Sequence, residues 1–355
     1  MNNDRIQEIL DLMEEARLDY FLISDPQSIA YCTGYYNDPH ERMFVFMISK
    51  HGNHTLFMND LFYLEHDLDV NIVWHKDGQD AIQTIVDEMH FPGRIGIDKN
   101  WASHFLLDLM KKLPDAKYIN ASPCVDLVRM KKDLQEQVLM IESSKINDAV
   151  MEEIIPFIQE GVTEKQLAKK LDELFFNHHS TCYGAIVAFG KNAADPHHEN
   201  DDTPLRKGDC VLIDMGCVYK GYCSDMTRTF FYEGILEEEI KIYEIVKKAN
   251  EAAEAMIKPG VKLSDIDKCA RKVISDEGYG KYFTHRLGHF IGRDVHEYGD
   301  VSSVNEMEVE EGMIFSIEPG IYLEGNFGVR VEDLVMVTKD GCQVLNSLTK
   351  DIYII

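Results

Sequence analysis

The segment Cys210-Val-Leu-Ile-Asp-Met-Gly216 ends an apolar run at a carboxylate, and Tyr222-Cys-Ser-Asp-Met-Thr-Arg-Thr-Phe230 brings a second one soon afterwards. The apolar residues before Asp214 are typical of a buried strand, and those after Asp225 predict another. A carboxylate at the end of a buried strand needs a partner, because an unpaired buried charge is costly. The strand-rich stretch around these two aspartates is therefore where we look for a functional site.

Three segments further along the chain repeat this pattern of polar residues among apolar ones. They are His285-Arg-Leu-Gly-His-Phe-Ile-Gly292 with Val295-His-Glu297 after it, Phe315-Ser-Ile-Glu-Pro-Gly320, and Val329-Arg-Val-Glu-Asp-Leu334. Taken singly, each carboxylate could pair with Arg228, Arg330 or a backbone N–H group. Taken together with His289 in its glycine-flanked turn, carboxylates in apolar strands would repel each other, and divalent cations relieve that repulsion.

The five ordered segments strongly resemble the pita-bread metallopeptidases, which include prolidase (Xaa-Pro dipeptidase), aminopeptidase P and methionine aminopeptidase. The resemblance rests on Asp-x-Gly, Gly-Tyr-x-Ser-Asp-x-Thr-Arg-Thr, Gly-His-x-Ile-Gly with His-Glu, Glu-Pro-Gly and Val-Arg-Val-Glu-Asp, spanning residues 214–332. The two-domain layout extends it to nearly the whole chain. Arg286 after the first histidine, and an N-terminal domain of modest size, favour a prolidase of the prokaryotic type.

This resemblance implies two divalent metal ions held by five ligands: Asp214, Asp225, His289, Glu318 and Glu332. Asp225 and Glu332 would bridge the ions, and the other three would each bind one. Four carboxylates and one imidazole suit Mn²⁺, with Co²⁺ or Zn²⁺ as alternatives. A hydroxide held between two such ions would attack the scissile carbonyl. The nearby cysteines at positions 210, 217 and 223 are interpreted as packing residues.

The resemblance also implies which side chains act on the substrate. Glu318 would move a proton to the leaving nitrogen, and His197 and His296 would contact the substrate and stabilise the tetrahedral intermediate. His198 and His285 are expected to be surface or capping residues.

Substrate length depends on what binds the free carboxylate of a dipeptide. Arg293 could bind it through a bidentate fork, and Arg330, which shares a strand face with Glu332, is a second candidate that could instead orient the carboxylates. In the N-terminal part, the charged loop residues Asp38, His40, Glu41 and Arg42 are hypothesised to form a lid, because the resemblance implies that such a loop can reach a partner subunit's active site. The resemblance implies a homodimer in the same way.

The rest of the 355-residue chain divides into two domains by its patterns. Residues 1–122 alternate short strands with helices, which predicts an α/β N-terminal domain, and residues 123–355 predict an α+β catalytic domain of the pita-bread type. Acidic residues outnumber basic ones by 62 to 36, a formal charge of −26, which disfavours binding to nucleic acid or to an anionic membrane. Without a signal-peptide pattern or a membrane span, and with scattered cysteines, we expect a cytoplasmic protein.

The function predicted from these features is hydrolysis of dipeptides with a C-terminal proline. One alternative is a Xaa-Pro aminopeptidase (aminopeptidase P) acting on longer peptides. A metal-free creatinase-like hydrolase and a non-catalytic binding protein share the fold, but such members would be expected to lose metal ligands, and all five are present here. Because one fold hosts many functions, the metal ligands and not the fold separate these alternatives.

Overall fold

The computed structural model describes residues 1–90 and 92–355. It divides into two compact units, Met1–Arg129 and Met130–Ile355. The domain boundary that the sequence predicts, between residues 122 and 123, stays a prediction.

The first unit alternates helices with strands: α1 (Asn3–Glu15), β1 (Tyr20–Ile23), α2 (Pro26–Thr33), β2 (Val45–Ser49), β3 (Thr55–Asn59), β4 (Asn71–His75), α3 (Ala81–Glu88), β5 (Arg94–Ile97), α4 (Ser103–Lys112), β6 (Lys117–Asn120) and α5 (Ser122–Met130). Its strands form a mixed sheet in the order β4-β3-β2-β1-β5-β6. Strands β2 and β3 form an antiparallel hairpin.

Helices cover both faces of this sheet, because successive side chains of its strands point to opposite faces and both sets are apolar. Phe21 and Phe46 join the apolar residues of α1 and α5 in one core cluster. Their neighbours Leu22 and Val45 point to the opposite face, where they pack with residues of α3 and α4. This is the predicted α/β architecture.

The second unit contains longer helices and several small sheets: α6 (Leu134–Ile154), α7 (Glu164–Asn177), β7 (Thr181–Phe189), β8 (Cys210–Tyr219), β9 (Tyr222–Cys223), β10 (Met226–Phe231), α8 (Glu237–Glu254), α9 (Leu263–Asp276), β11 (Gly288–His289), β12 (Asp300–Val301), β13 (Ile314–Ile317), β14 (Gly320–Leu323), β15 (Phe327–Arg330), β16 (Asp333–Val337) and β17 (Cys342–Val344). Antiparallel β10, β8 and β7 lie side by side, and β13, β16 and β17 form another sheet.

The central strand β8 separates the apolar core of this unit from its polar face. Val211, Ile213 and Met215 belong to one core cluster with residues of α6 and α7. Because side chains alternate along a strand, Asp214 points to the opposite face. Thr163 accepts a hydrogen bond from the Gln166 N–H and caps the N-terminus of α7.

The run from Val329 to Val337 contains two strands, β15 and β16. β15 pairs with β14, whereas β16 pairs with β13 and β17. Glu332 lies at the break between them, and its backbone N–H donates to the Thr227 carbonyl at 3.1 Å. The chain therefore changes its pairing partner at Glu332.

Candidate metal centre and active site

A cavity of about 620 Å³ opens in the second unit. It is lined by all five predicted metal ligands and by three other predicted site residues, His197, His296 and Arg330. The fold therefore collects, in one place, residues from segments that lie far apart in the sequence.

The two aspartates reach the cavity from neighbouring strands. Asp214 lies in β8, opposite Thr227 of β10 and Ile186 of β7. Asp225 directly precedes β10 and is buried. Gly216, two residues after Asp214, has no room for a side chain, since a Cβ there would lie 2.0 Å from the Ser224 carbonyl oxygen. This close approach brings the chain before Asp225 against β8.

Asp225, His289 and Glu332 offer ligand atoms that all lie within 4.8 Å of one another. His289 Nε2 is 3.6 Å from an oxygen of Asp225 and 3.6 Å from an oxygen of Glu318, too long for good hydrogen bonds. Its Nδ1 faces the Phe290 carbonyl at 3.2 Å. With the proton on Nδ1, the lone pair of Nε2 faces the carboxylates, as metal ligation requires.

The electrostatics of these groups favour bound cations. Burial, followed by repulsion from neighbouring carboxylates, raises the pKa values of Asp225 and Glu332 well above their usual range. Burial raises the pKa of Glu318 to about 7. Burial lowers the pKa of His289 to about 3, so its imidazole is neutral. Crowded oxygen donors and one neutral imidazole are a donor set that fits divalent transition metals.

Two further side chains hold the carboxylates in place. The Thr227 hydroxyl lies 2.6 Å from Glu332 Oε2 and accepts from Arg330 Nε at 3.1 Å. The Arg330 Nη2 group donates to Asp214 Oδ2 at 2.7 Å, and Nη1 donates to the Tyr322 hydroxyl at 3.0 Å. These contacts match the orienting role weighed for Arg330, and its role in substrate binding stays a prediction.

Histidines surround the proposed ligands. The ring of His296 lies 4.2 Å from that of His289 in a T-shaped arrangement. His197 follows Pro196 in a loop where its backbone N–H donates to Asp195 Oδ1 at 3.0 Å. His197 and His296 both line the cavity. Their catalytic roles stay predictions.

Sequence reasoning missed several cavity residues. His285, expected at a surface or cap, lines the cavity together with Arg286 and Tyr183. Its Nε2 faces the Tyr322 hydroxyl at 2.8 Å, and its Nδ1 faces the Arg286 carbonyl at 2.7 Å. The signal for His285 was its place at the start of the segment that carries His289. Nothing in the local sequence marks Tyr183.

Arg293 does not appear among the described residues that line the cavity. Its guanidinium lies 5.4 Å from the centre of the Tyr222 ring, and its backbone N–H donates to Glu297 Oε1 at 2.9 Å. Binding of a substrate carboxylate by Arg293 stays a prediction.

The loop residues predicted as a lid belong to the first unit. The Arg42 guanidinium donates to both carboxylate oxygens of Asp77, at 3.0 and 2.9 Å, and also pairs with Glu41. The His40 backbone N–H donates to Asp38 Oδ1 at 3.0 Å. These contacts are local to the loop and its surroundings, and the lid stays a prediction.

The cysteines at 210, 217 and 223 are buried, as expected of packing residues. All eight cysteines of the chain are free thiols. Burial raises the pKa of Cys210 to about 12 and that of Cys223 well above its usual range, so neither is a ready thiolate.

Comparison with known proteins places this geometry in a family. Residues 138–339 match the model of metallopeptidase family M24, and residues 5–131 match the creatinase/prolidase N-terminal domain. An uncharacterised peptidase of Staphylococcus aureus is 35% identical, with 98% of this chain and 99% of that protein covered.

Two solved structures are similar over almost their whole lengths. A dipeptidase from Pyrococcus horikoshii is 35% identical with a TM-score of 0.93, covering 99% of this chain and 100% of that one. A prolidase from Thermococcus sibiricus is 32% identical with a TM-score of 0.94, covering 100% and 99%.

The chain belongs to metallopeptidase family M24. The predicted family and the predicted fold, a creatinase-type N-terminal domain followed by a pita-bread catalytic domain, are both confirmed. Members of this family use divalent metal ions. In the part of the chain that the structure describes, every helix is too short or too polar to cross a bilayer.

Proposed function

We propose that this protein is a metal-dependent Xaa-Pro dipeptidase. The observation that carries the proposal is the single cavity in which four carboxylates and a neutral imidazole converge, together with two further histidines. The similar proteins of known structure named above are a dipeptidase and a prolidase, which supports the choice within the family.

The proposed ligands are Asp214, Asp225, His289, Glu318 and Glu332. Two divalent ions bound there would polarise the scissile carbonyl and make water a nucleophile at neutral pH. Mn²⁺ is the proposed ion, with Co²⁺ and Zn²⁺ as alternatives, because oxygen donors dominate the set.

The chain's own side chains would orient the substrate and move protons. Glu318 lines the cavity, with one oxygen 3.6 Å from His289 Nε2, and would carry a proton to the leaving nitrogen. His197 and His296 would donate hydrogen bonds to the carbonyl oxygen as negative charge develops on it. Arg330 would hold Asp214 in place through the 2.7 Å contact.

The cavity favours a small substrate. Its volume of about 620 Å³ falls within the range of small-ligand pockets. Arg286 brings a positive charge to the cavity lining. We propose it as a partner for the free carboxylate of a dipeptide, in addition to the earlier candidate Arg293. Proline lacks an N–H group, so the enzyme need not satisfy a donor at the scissile nitrogen.

The proposed lid, homodimer and cytoplasmic location each have a direct test. Arg42→Ala should change the KM for dipeptides if the loop limits substrate length, and unchanged KM and kcat would remove the lid. Sedimentation at micromolar concentration tests the dimer, and cell fractionation tests the location.

The proposed function itself is tested by hydrolysis of Leu-Pro and Leu-Pro-Pro after chelation, with Mn²⁺, Co²⁺ or Zn²⁺ added back singly. Restored cleavage of Leu-Pro alone is the expected result. Cleavage of the tripeptide as well would favour an aminopeptidase P, and no cleavage with any ion would contradict a peptidase. Arg286→Met should raise the KM for Leu-Pro more than for Leu-Pro amide, which lacks the carboxylate.

A further inference from the structure

A buried carboxylate outside the cavity gathers an unusual number of donors. Glu164 stands at the first residue of α7, and its side chain is fully buried. Its Oε1 accepts from the Phe189 backbone N–H and the Asn192 side-chain amide, each at 2.9 Å. Its Oε2 lies 2.6 Å from His198 Nε2 and accepts from the Asp201 backbone N–H at 3.0 Å. Both oxygens are therefore satisfied, which makes the burial of this charge tolerable.

These donors all belong to the segment that leads to one side of the cavity. Phe189 ends β7, and the loop after it carries His197, the residue next to His198 in the chain. The same loop is fastened at Asn200, whose side chain accepts from the Val187 N–H and donates to the Ala185 carbonyl, both at 2.7 Å.

We infer that Glu164 and His198 form a positioning pair that sets where His197 lies in the cavity. The inference rests on the proposed function, in which His197 contacts the substrate. Adjacent residues share a peptide unit, so the contact that holds the His198 ring against Glu164 also restricts the backbone of His197. A misplacement of 1 Å in a catalytic arrangement costs about a hundredfold in rate.

A cation at this cluster is the competing explanation, because ligand atoms of Glu164, His198 and Asp201 lie within 4.8 Å of one another. Several contacts argue against it. N–H groups already occupy both oxygens of Glu164, and Asp201 Oδ1 accepts from the Thr203 N–H at 2.6 Å. An ion would have to displace these donors, so we assign the cluster to positioning.

The test compares His198→Ala, His197→Ala and the double variant on Leu-Pro with Mn²⁺ present. If His198 acts through His197, each single variant lowers kcat/KM by a similar factor, up to about a hundredfold, and the double variant is no worse than His197→Ala. His198→Gln, whose amide can still donate to Glu164, should recover much of the loss. The matched control is His178→Ala, because His178 pairs with Glu153 at 3.0 Å on the exposed surface, and it should leave the kinetics unchanged.

Several results would overturn the inference. Losses that multiply in the double variant would show that His198 acts independently of His197. A lowered melting temperature with unchanged kinetics would show a purely structural pair. One equivalent less bound metal in His198→Ala, measured by elemental analysis, would identify a cation site.

Hydrogen exchange separates failure of this inference from failure of the proposed function. If the wild-type protein does not cleave Leu-Pro, the function fails, and the pair is still tested through the backbone N–H of Asp201. Its exchange should be faster in His198→Ala than in the wild type. Unchanged exchange at Asp201 would mean that His198 does not hold the loop.

Discussion

The hydroxyl of Thr227 has a defined direction that makes a sharp prediction possible. Thr227 is fully buried in β10. Arg330 Nε can only donate, so the hydroxyl oxygen accepts that hydrogen bond at 3.1 Å and its own proton is directed to Glu332 Oε2 at 2.6 Å. Thr227→Val keeps the shape of the side chain and removes both hydrogen bonds.

The expected loss can be worked from the bond to Glu332. A hydrogen bond to a charged group contributes about 1.5–3 kcal/mol, and about 1.4 kcal/mol corresponds to a tenfold change in an equilibrium constant. Because this bond favours the ionised form of Glu332, which is the form that binds a cation, its loss should weaken Mn²⁺ affinity by roughly 10- to 100-fold.

The assay is competition between the protein and a fluorescent chelator for Mn²⁺. Thr229→Val is the matched control, since Thr229 is also buried in β10 but its hydroxyl hydrogen-bonds to the backbone of Arg330, at 3.0 and 3.2 Å. We expect Thr229→Val to lower stability without a comparable loss of affinity. A Thr227→Val affinity within threefold of the wild type, or equal losses in both variants, would refute the reasoning.

Three further predictions concern stability. In the chelated protein, Glu332→Gln should be more stable than the wild type, by a margin that grows as pH rises above 4.5. This follows because the folded state keeps Glu332 protonated, with its pKa raised well above the usual 4.5, while the unfolded chain releases that proton. With Mn²⁺ added the order should reverse, and melting temperatures that keep one order in both conditions would contradict this. Gly216→Ala should lower the free energy of unfolding, measured in urea, by at least about 2 kcal/mol, because the new Cβ would lie 2.0 Å from the Ser224 carbonyl oxygen. The control Gly234→Ala has open space around its Cβ and should leave this free energy unchanged. Equal effects of the two substitutions would contradict the predicted clash. Arg228→Lys should cost about 2–3 kcal/mol, because one ammonium cannot replace a guanidinium that contacts Asp333 and the carbonyls of Thr227, Glu332, Leu348 and Thr349. An unfolding free energy close to that of the wild type would contradict this last expectation.

The sequence was most informative where chemistry and periodicity coincide. The apolar run before Asp214 was predicted to be a buried strand, and it is one, but β8 continues to Tyr219, so Asp214 lies within the strand and not at its end. The gathering of five separated segments could be predicted by resemblance, because their order and spacing carry that information. The structure adds that these residues share one cavity.

The parts that escaped prediction depend on contacts between distant segments. Local pattern gives Val329–Val337 as a continuous strand, and only the change of pairing partner from β14 to β13 reveals the break at Glu332. His198 and His285 resemble surface histidines locally, and their partners, Glu164 and Tyr322, are far away in the sequence. No periodicity encodes such pairs.

The origin of the carboxylate cluster ties the abundance of the folded protein to the supply of its ion. Asp225, His289 and Glu332 come from distant parts of one unit and are brought together only by folding. An ion bound to the folded state alone stabilises it by mass action, by about 2.7 kcal/mol when its free concentration is a hundred times the dissociation constant. In a cell short of that ion, some of the protein would be lost to unfolding and proteolysis, and the remaining molecules would lose activity. The amount of folded protein would therefore follow the availability of the ion.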